Sequence, residues 1–415
     1  MPANPAWKNA FGAAVAFRRR PHKADELVAR WQALESDTRR RAFHLFYAWL
    51  RWRGWAEAGL REFLRKPPRM ELQTLLELAC AEMAMIDRER RPLVVNHAVD
   101  VARALLSPRE AGLVNAVLRR AAGTLDPGDL GATHPAWLVA RWEAEHGPAA
   151  TRELLAWNQR EASTYVRWAS QTEPPAGLRP TPWEGFFELT PEAREAVLGV
   201  VERGEAYIQD PFTRHPVELA MRARPRHVLD LCAAPGGKSR ALLDAASAGE
   251  GALETLVAVD LPGPRLARLE ENLAPVHPRL RLEILGADVA ALRPADLAAH
   301  GLPAAYDAVI LDVPCSNTGV IRRRPDVRWL LSPLQLEELA ALQGRLLAQA
   351  AHFVAPGGTL VYSTCSLERA ENEAVVEWFL THHADFSAGA SKLSRPWVEG
   401  HDGGAAFPLT RLGGA

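Results

Sequence analysis

The sequence predicts three parts: an all-α front over residues 1–122, a small α+β segment over 123–205, and an α/β domain with a mostly parallel, doubly wound sheet over 206–415. Three observations carry that prediction. Apolar residues recur at helical spacing through the first block, with no β-rich run between them. From Tyr207 onward, short apolar runs alternate with amphipathic stretches, the signature of repeated βαβ units. Turn-rich or Pro-rich segments, Gly123–Gly131 and Gln171–Pro182, interrupt the middle. A chain of 415 residues suits two or three domains.

In the front block, the spacing predicts helices over Arg41–Leu60, Leu72–Ile86, Val94–Leu105 and Glu110–Arg120. Ser107-Pro108-Arg109-Glu110 is a helix start, with a capping hydroxyl, proline at the first position and an early acid. The block holds 22 Lys and Arg against 13 Asp and Glu, while the rest of the chain holds 27 against 37. A basic front joined to an acidic remainder suits contact with nucleic acid. Phe11–Phe17 is too short for a secretory leader, and Arg18-Arg19-Arg20 stand on the wrong side of it. Leu346–Leu367 is long and uncharged, but Pro356-Gly357-Gly358 splits it into helix, turn and strand, so no membrane span is expected.

The middle segment opens a helix at His134-Pro135-Ala136-Trp137 and closes another at Asn158-Gln159-Arg160. It offers one strand, Tyr165–Ala169, and then the polar loop Gln171–Pro182. The last block reads as strand His227–Leu231, helix Ser239–Ala246, strand Leu256–Asp260, helix Arg265–Leu273 and strand Leu280–Leu285. Strand Tyr306–Asp312, helix Pro333–Phe353, strand Thr359–Ser363 and helix Glu371–Thr381 follow. Right-handed crossovers bring every carboxyl end of such strands to one edge, where ligands bind. Cys232–Lys238, Asp260, Asp288, Asp312 with Cys315, and Cys365 all fall at that edge.

The loop Cys232-Ala233-Ala234-Pro235-Gly236-Gly237-Lys238 leads into a helix. Its small residues let a ligand approach the backbone, and the helix start offers free N–H groups. Neither Gly-x-Gly-x-x-Gly nor the phosphate-cradling Gly-x-x-x-x-Gly-Lys-Ser is present, which disfavours NAD and nucleotide triphosphates. Asp260 is placed for ribose hydroxyls and Asp288 for an adenine amino group. A ribose and an adenine without a pyrophosphate cradle point to S-adenosylmethionine. Lys238 is one of only five lysines beside 44 arginines, which suggests that a compact ammonium is wanted there, the alternative being a chance surface lysine.

The chain has four cysteines, Cys80, Cys232, Cys315 and Cys365. No Cys-x-x-Cys pair occurs, so no metal site is expected, and free thiols in a reducing cytoplasm are the better reading. Two thiols at one sheet edge suit covalent chemistry on an electron-poor ring. Carbon 5 of cytosine is a poor nucleophile until a thiolate adds to carbon 6. An acid must then protonate or hydrogen-bond ring nitrogen 3, and Asp312 stands near enough to Cys315 to serve, provided burial keeps its carboxyl protonated. Spacing alone does not rank the two thiols.

The runs Asp230-Leu-Cys-Ala-Ala-Pro-Gly-Gly-Lys-Ser239, Asp312-Val-Pro-Cys-Ser-Asn-Thr-Gly319 and Ser363-Thr-Cys-Ser366 with Glu371-Asn372 resemble the Nop2/Sun group of RNA cytosine-carbon-5 methyltransferases. Gly319–Trp329 resembles the bacterial branch that modifies 16S ribosomal RNA. Arg91-Pro92, Asn96–Val99 and Gly112–Arg120 are similar to the second half of a NusB-like domain.

The resemblance implies a NusB-like RNA-binding front, a linker that positions RNA, and a Rossmann-like domain with a mostly parallel seven-stranded sheet. It implies Cys365 as nucleophile, Cys315 as the group assisting product release, and Asp312 against the base or the cofactor. Cys232–Lys238, Asp260 and Asp288 would bind S-adenosylmethionine. The implied substrate is an unpaired or flipped cytidine of 16S rRNA, and the implied enzyme a cytoplasmic monomer. A transfer-RNA or other ribosomal target, and a non-catalytic RNA-binding assembly factor, remain the alternatives. Three departures from the family pattern, Pro211–His215, Asn158–Ala162 and Asp402–Phe407, are expected to lie outside the chemistry and to bear on RNA docking.

Overall fold

The computed structural model describes residues 3–126, 128–169, 173–249, 252–276 and 280–413. Gln171 and Thr172 of the expected loop, and Pro127 of the expected connection, lie outside these. The chain forms two compact units, one of residues 1–161 with 321–331, the other of residues 162–320 with 332–415.

The first unit is helical, with its main helices at Pro5–Arg19, Ser36–Leu60, Met70–Met83, Arg91–Leu105, Pro108–Thr124, Ala136–His146 and Pro148–Gln159. Local chemistry sets the ends. Asn4 caps the first helix by accepting from the amides of Ala6 and Trp7, with Pro5 at its first position. Ser107 accepts from the Glu110 amide, as its spacing predicts. Trp7, Phe17, Trp31, Phe46 and Trp49 are fully or almost fully buried in one core with Leu45, Leu75, Leu76 and Val114.

Residues 321–331 belong to this unit although they follow the Cys315 loop. Arg328 is completely buried, and its guanidinium donates to the carbonyls of Thr133 and Asn158, both at 3.2 Å, and to Gln159 Oε1 at 2.8 Å. Asp326 accepts from the Ala24 amide at 3.0 Å, and Trp329 Nε1 donates to the Leu50 carbonyl at 2.6 Å.

The second unit holds two sheets. The smaller comprises β1 (Tyr165–Trp168), β2 (Leu178–Pro180), β3 (Phe186–Leu189) and β4 (Ala206–Ile208), all antiparallel in the order β2-β3-β1-β4. The stretch expected as loop through Pro182 thus contains a short strand. It is an edge strand, where Pro180 withholds no ladder bond from a second neighbour.

The larger sheet comprises β5 (His227–Leu231), β6 (Thr255–Asp260), β7 (Arg281–Gly286), β8 (Tyr306–Asp312), β9 (Val354–Thr364), β10 (Phe386–Ala388), β11 (Lys392–Ser394) and β12 (Gly404–Arg411). A path of seven strands runs β10-β12-β9-β8-β5-β6-β7, with β11 paired to β12. The five strands from β7 to β9 are parallel and the others antiparallel. Central strands are apolar on both faces: Leu229, Val257 and Val309 pack on one side, Val228, Ala258 and Ile310 on the other. The chain leaves β5 toward β6 and returns from β7 to β8, so the winding reverses between the neighbours β5 and β8. No helix among the described residues is long and apolar enough to cross a membrane.

Candidate active site

At that reversal, the loop after β5 faces the ends of β8 and β9. Cys232 takes a left-handed φ of 58°, and Gly236, at 105°, precedes the helix Gly237–Ser247. A Cβ on Gly236 would come 2.9 Å from Leu269 Cδ1, so only glycine fits there without a shift. The loop walls a cavity of about 300 Å³ with Ala233, Ala234, Pro235, Gly237 and Lys238. Asp230, Asp312 and Cys365 line it from the sheet, and Tyr207, Gln209, Asp210 and Phe212 close it. Gln209 joins the smaller sheet to the start of the helix after β5: its Nε2 donates to the Gly237 carbonyl at 2.9 Å, and its Oε1 accepts from Arg167 Nε at 2.7 Å.

Asp230 is fully buried, and burial pushes its carboxyl up to about 7 against the pull of the Ser239 hydroxyl and the Lys238 ammonium. Its Oδ2 accepts from Ser239 Oγ at 2.5 Å, and its Oδ1 has no partner among the described residues. Lys238 Nζ lies 2.6 Å from Asp312 Oδ2. Burial alone would weaken the lysine's hold on its proton, but the carboxylate beside it more than offsets this and raises its pKa. Asp312 also accepts from Ser363 Oγ at 2.8 Å. Asp312 therefore meets both neighbours as an acceptor, the opposite of the protonated donor expected from sequence.

The two thiols converge. Cys315 Sγ and Cys365 Sγ lie 3.2 Å apart, and both cysteines are free and half-buried. The hydrogen bond with Cys365, and then burial, hold the Cys315 proton on. Asn317, at a left-handed φ of 61°, accepts from Cys365 Sγ at 3.2 Å and donates to the Cys315 carbonyl at 2.8 Å. Cys232 packs beside the core and does not line the cavity, and burial pushes its thiol up to about 12. Cys80 is buried in the helical unit.

Asp260 and Asp288 stand at their strand ends but do not line this cavity. Asp260 is 4 % exposed and accepts from the amides of Ala234 and Leu261, both at 2.9 Å, thereby holding the loop. Asp288 borders a second cavity of about 460 Å³ beyond β7, with Gly286, Ala287 and His300.

Two of the three departures lie at the site, not outside the chemistry. Phe212 lines the cavity, and Gly403 donates its amide to the Gly319 carbonyl at 2.9 Å, while Gly319 donates to the Cys365 carbonyl at 3.0 Å. Asn158–Ala162 is elsewhere: Asn158 and Gln159 hold Arg328 in the helical unit. Sequence reasoning gave no role to Asp230, Asn317 and Glu371, although each stands in one of the family-like runs, nor to Gln209. Asp230 reads as one more strand residue, and the others become visible only once distant loops meet.

The cavity suits S-adenosylmethionine. Its small-residue wall admits a ligand to the backbone, and an orphaned buried carboxylate oxygen awaits a donor or a cation. Fold and site together define an S-adenosylmethionine-dependent methyltransferase. The family profile described as 16S rRNA methyltransferase RsmB/F matches residues 218–405, and that of the NusB family matches residues 15–123. Ribosomal RNA small subunit methyltransferase B of Xylella fastidiosa (strain 9a5c) is 34% identical, over 93% of this chain and 94% of its own. The same-named protein of Xanthomonas campestris pv. campestris is also 34% identical, over 85% and 82%. The chain belongs to the ribosomal RNA small subunit methyltransferase B family. Among solved structures, PH0851 superposes with a TM-score of 0.73 at 20% identity, covering 99% of both chains. NSun6 from Pyrococcus horikoshii with SFG gives 0.55 at 16%, over 68% of this chain and 99% of that one. Both share the fold.

Proposed function

We propose that the protein methylates carbon 5 of a cytidine in 16S rRNA, acting as a cytoplasmic monomer on a base that is unpaired or flipped out. The observation that carries this reading is the pair of sulfurs 3.2 Å apart, one of them on the wall of the cofactor cavity. A structural role for two adjacent free thiols needs neither that cavity nor the Lys238–Asp312 pair beside it. The names of the curated relatives support ribosomal RNA as the substrate.

S-adenosylmethionine, when bound, supplies an electrophilic methyl group. Cys365, as thiolate, adds to carbon 6 of the cytosine, and the ring's electron pair becomes available at carbon 5. The Lys238 ammonium, fixed by Asp312, lines the same cavity as Cys365. It offsets negative charge as the adduct forms, and donates toward the base where a protonated Asp312 is not at hand. After methylation, a base must remove the carbon-5 proton so that the Cys365–carbon 6 bond breaks and the thiolate leaves. Cys315 suits that step. Once Cys365 is bonded to the base it no longer shares the hydrogen bond that most strongly holds the Cys315 proton on. A stacked pyrimidine blocks attack at carbon 6, so the base must leave its stack.

The test compares methyl transfer to 16S rRNA by wild type, Cys365→Ala and Cys315→Ala. Cys365→Ala abolishes transfer, and Cys315→Ala accumulates a denaturant-resistant protein–RNA adduct. An active Cys365→Ala enzyme overturns the assignment. Mapping bisulfite-resistant cytosines in total RNA of wild-type and deletion strains separates 16S rRNA from transfer RNA or another ribosomal site.

A further inference from the structure

We propose that Glu371 is a positioning residue of the reaction: one buried carboxylate locks the two cysteine loops together and sets the distance between their sulfurs. This role rests on the catalytic reading of Cys365 and Cys315 given above, though its geometric half can be tested without it.

Glu371 is completely buried. Its Oε1 accepts from the Ser316 amide at 2.8 Å and from Gln343 Nε2 at 2.9 Å. Its Oε2 accepts from the hydroxyls of Ser316 and Ser366. Ser316 directly follows Cys315, and Ser366 directly follows Cys365. A single side chain therefore bonds to the residue after each thiol, although the two loops are 50 positions apart in the chain. The neighbour Asn372 adds to the hold on the second loop, accepting from Thr364 Oγ1 at 2.6 Å and donating to the Ser366 carbonyl at 2.9 Å.

No Lys or Arg pairs with this carboxylate among the described residues; all its partners are neutral donors. Burying a carboxylate on neutral donors alone is costly, and an apolar residue would fill the space more cheaply. An acceptor with two oxygens is needed because the donors arrive from three segments, the Cys315 loop, the Cys365 loop and the helix Pro333–Ala351. Glutamine in its place keeps one oxygen for the Ser316 amide and Gln343, but an N–H₂ replaces the charged Oε2, so the Ser316 and Ser366 hydroxyls must turn to accept and the two loops resettle around a donor while the shape is kept. Displacements well under the length of a bond to the reacting carbon suffice to slow a positioned nucleophile.

The experiment uses the full chain in two assays. In the first, methyl transfer is measured for Glu371→Gln and, in case that variant folds poorly, for Ser366→Ala and Gln343→Leu, each of which removes one donor. Glu371→Gln lowers kcat by about 10²-fold, with KM for RNA and for S-adenosylmethionine within about twofold of wild type. In the second, diamide closes the Cys315–Cys365 disulfide in the RNA-free enzyme, two thiols giving up two protons and two electrons to the azo reagent. Peptide mapping then reports the rate. Closure slows at least about tenfold in Glu371→Gln, following the same loss of geometry. An unchanged closure rate, or a loss of activity carried wholly by KM or by unfolding at the assay temperature, overturns the proposal. If Cys365→Ala proves active, the catalytic reading fails alone, because the closure assay needs no RNA.

Discussion

Lys238 and Asp312 join the loop after β5 to the end of β8, with Nζ 2.6 Å from Oδ2. The pair sits on the wall of the same cavity as Cys365, and Asp230 lies on that wall as well. One ammonium thus faces two carboxylates, and its removal leaves both without a counter-charge.

Lys238→Met is accordingly expected to lower kcat on the order of 10²-fold. It also destabilises the protein by about 1–3 kcal/mol, because a hydrogen-bonded charge is left with only part of its partners. Asp312 retains Ser363 and some solvent, which keeps the figure below that for a fully buried pair. Urea unfolding and single-turnover kinetics measure the two effects. A Lys238→Met enzyme with wild-type kcat removes the lysine from the chemistry.

Brief treatment of the native enzyme with iodoacetamide near neutral pH should label Cys365 first. Cys232 and Cys80 resist because burial raises both thiols, Cys232 to about 12. Cys315 is slow while its proton is shared with Cys365. Intact mass followed by peptide mapping reads the order. Equal labelling of Cys232 contradicts the packing described for it.

Asp230 makes stability depend on pH. Its carboxyl titrates at about 7 in the folded chain and near 4 when unfolded. The folded state therefore binds the proton more tightly, and that advantage is complete below about pH 4. It fades as pH rises and is gone above about 7. Asp230→Asn carries no such dependence. The variant gains on wild type by a few kcal/mol, to order of magnitude, between pH 5 and 8. Urea denaturation at both values checks the sign, and a gap that does not widen with pH refutes it.

Gly319→Ala should be severely damaging. A Cβ there would lie 2.4 Å from the Gly403 carbonyl oxygen and 2.8 Å from that of Cys365, and neither backbone group can swing aside. We expect a stability loss of at least about 1–3 kcal/mol together with lost activity, since the nucleophile's own peptide must move. Gly12→Ala, in an open stretch of the helix Pro5–Arg19, is the control. It should stabilise by about 0.5–1 kcal/mol.

The parallel core of the sheet was legible because its strands are buried on both faces, so runs such as Leu256–Val259 and Ala308–Leu311 are apolar throughout and each is followed by an acid, Asp260 or Asp312. Four helices of the front were legible by periodicity, to within about five residues at each end, whereas Pro5–Arg19 and Ala24–Val28 were not foreseen. Among the antiparallel strands only Tyr165–Trp168 was, expected as Tyr165–Ala169; β2 and Gly404–Arg411 were not. Gly404–Arg411 begins at a glycine and carries Pro408, and β2 is three residues within a Pro-rich stretch. Their strand character comes from pairing with β9 and β3, which no local pattern records. The thiols and the cofactor loop announced themselves through residue type and position. Glu371 stood out in sequence only as part of a family-like run, without a role; the meeting of Ser316 and Ser366 on its carboxylate supplies one.

Residues 321–331 leave the catalytic half of the chain, complete the helical unit through Arg328, Asp326 and Trp329, and return. The helical unit is therefore discontinuous along the chain. A gene truncated after codon 161 would encode helices missing one of their own internal plugs, and grafting the front onto another enzyme would transplant an incomplete module. Moving the front intact means carrying residues 321–331 along with residues 1–161.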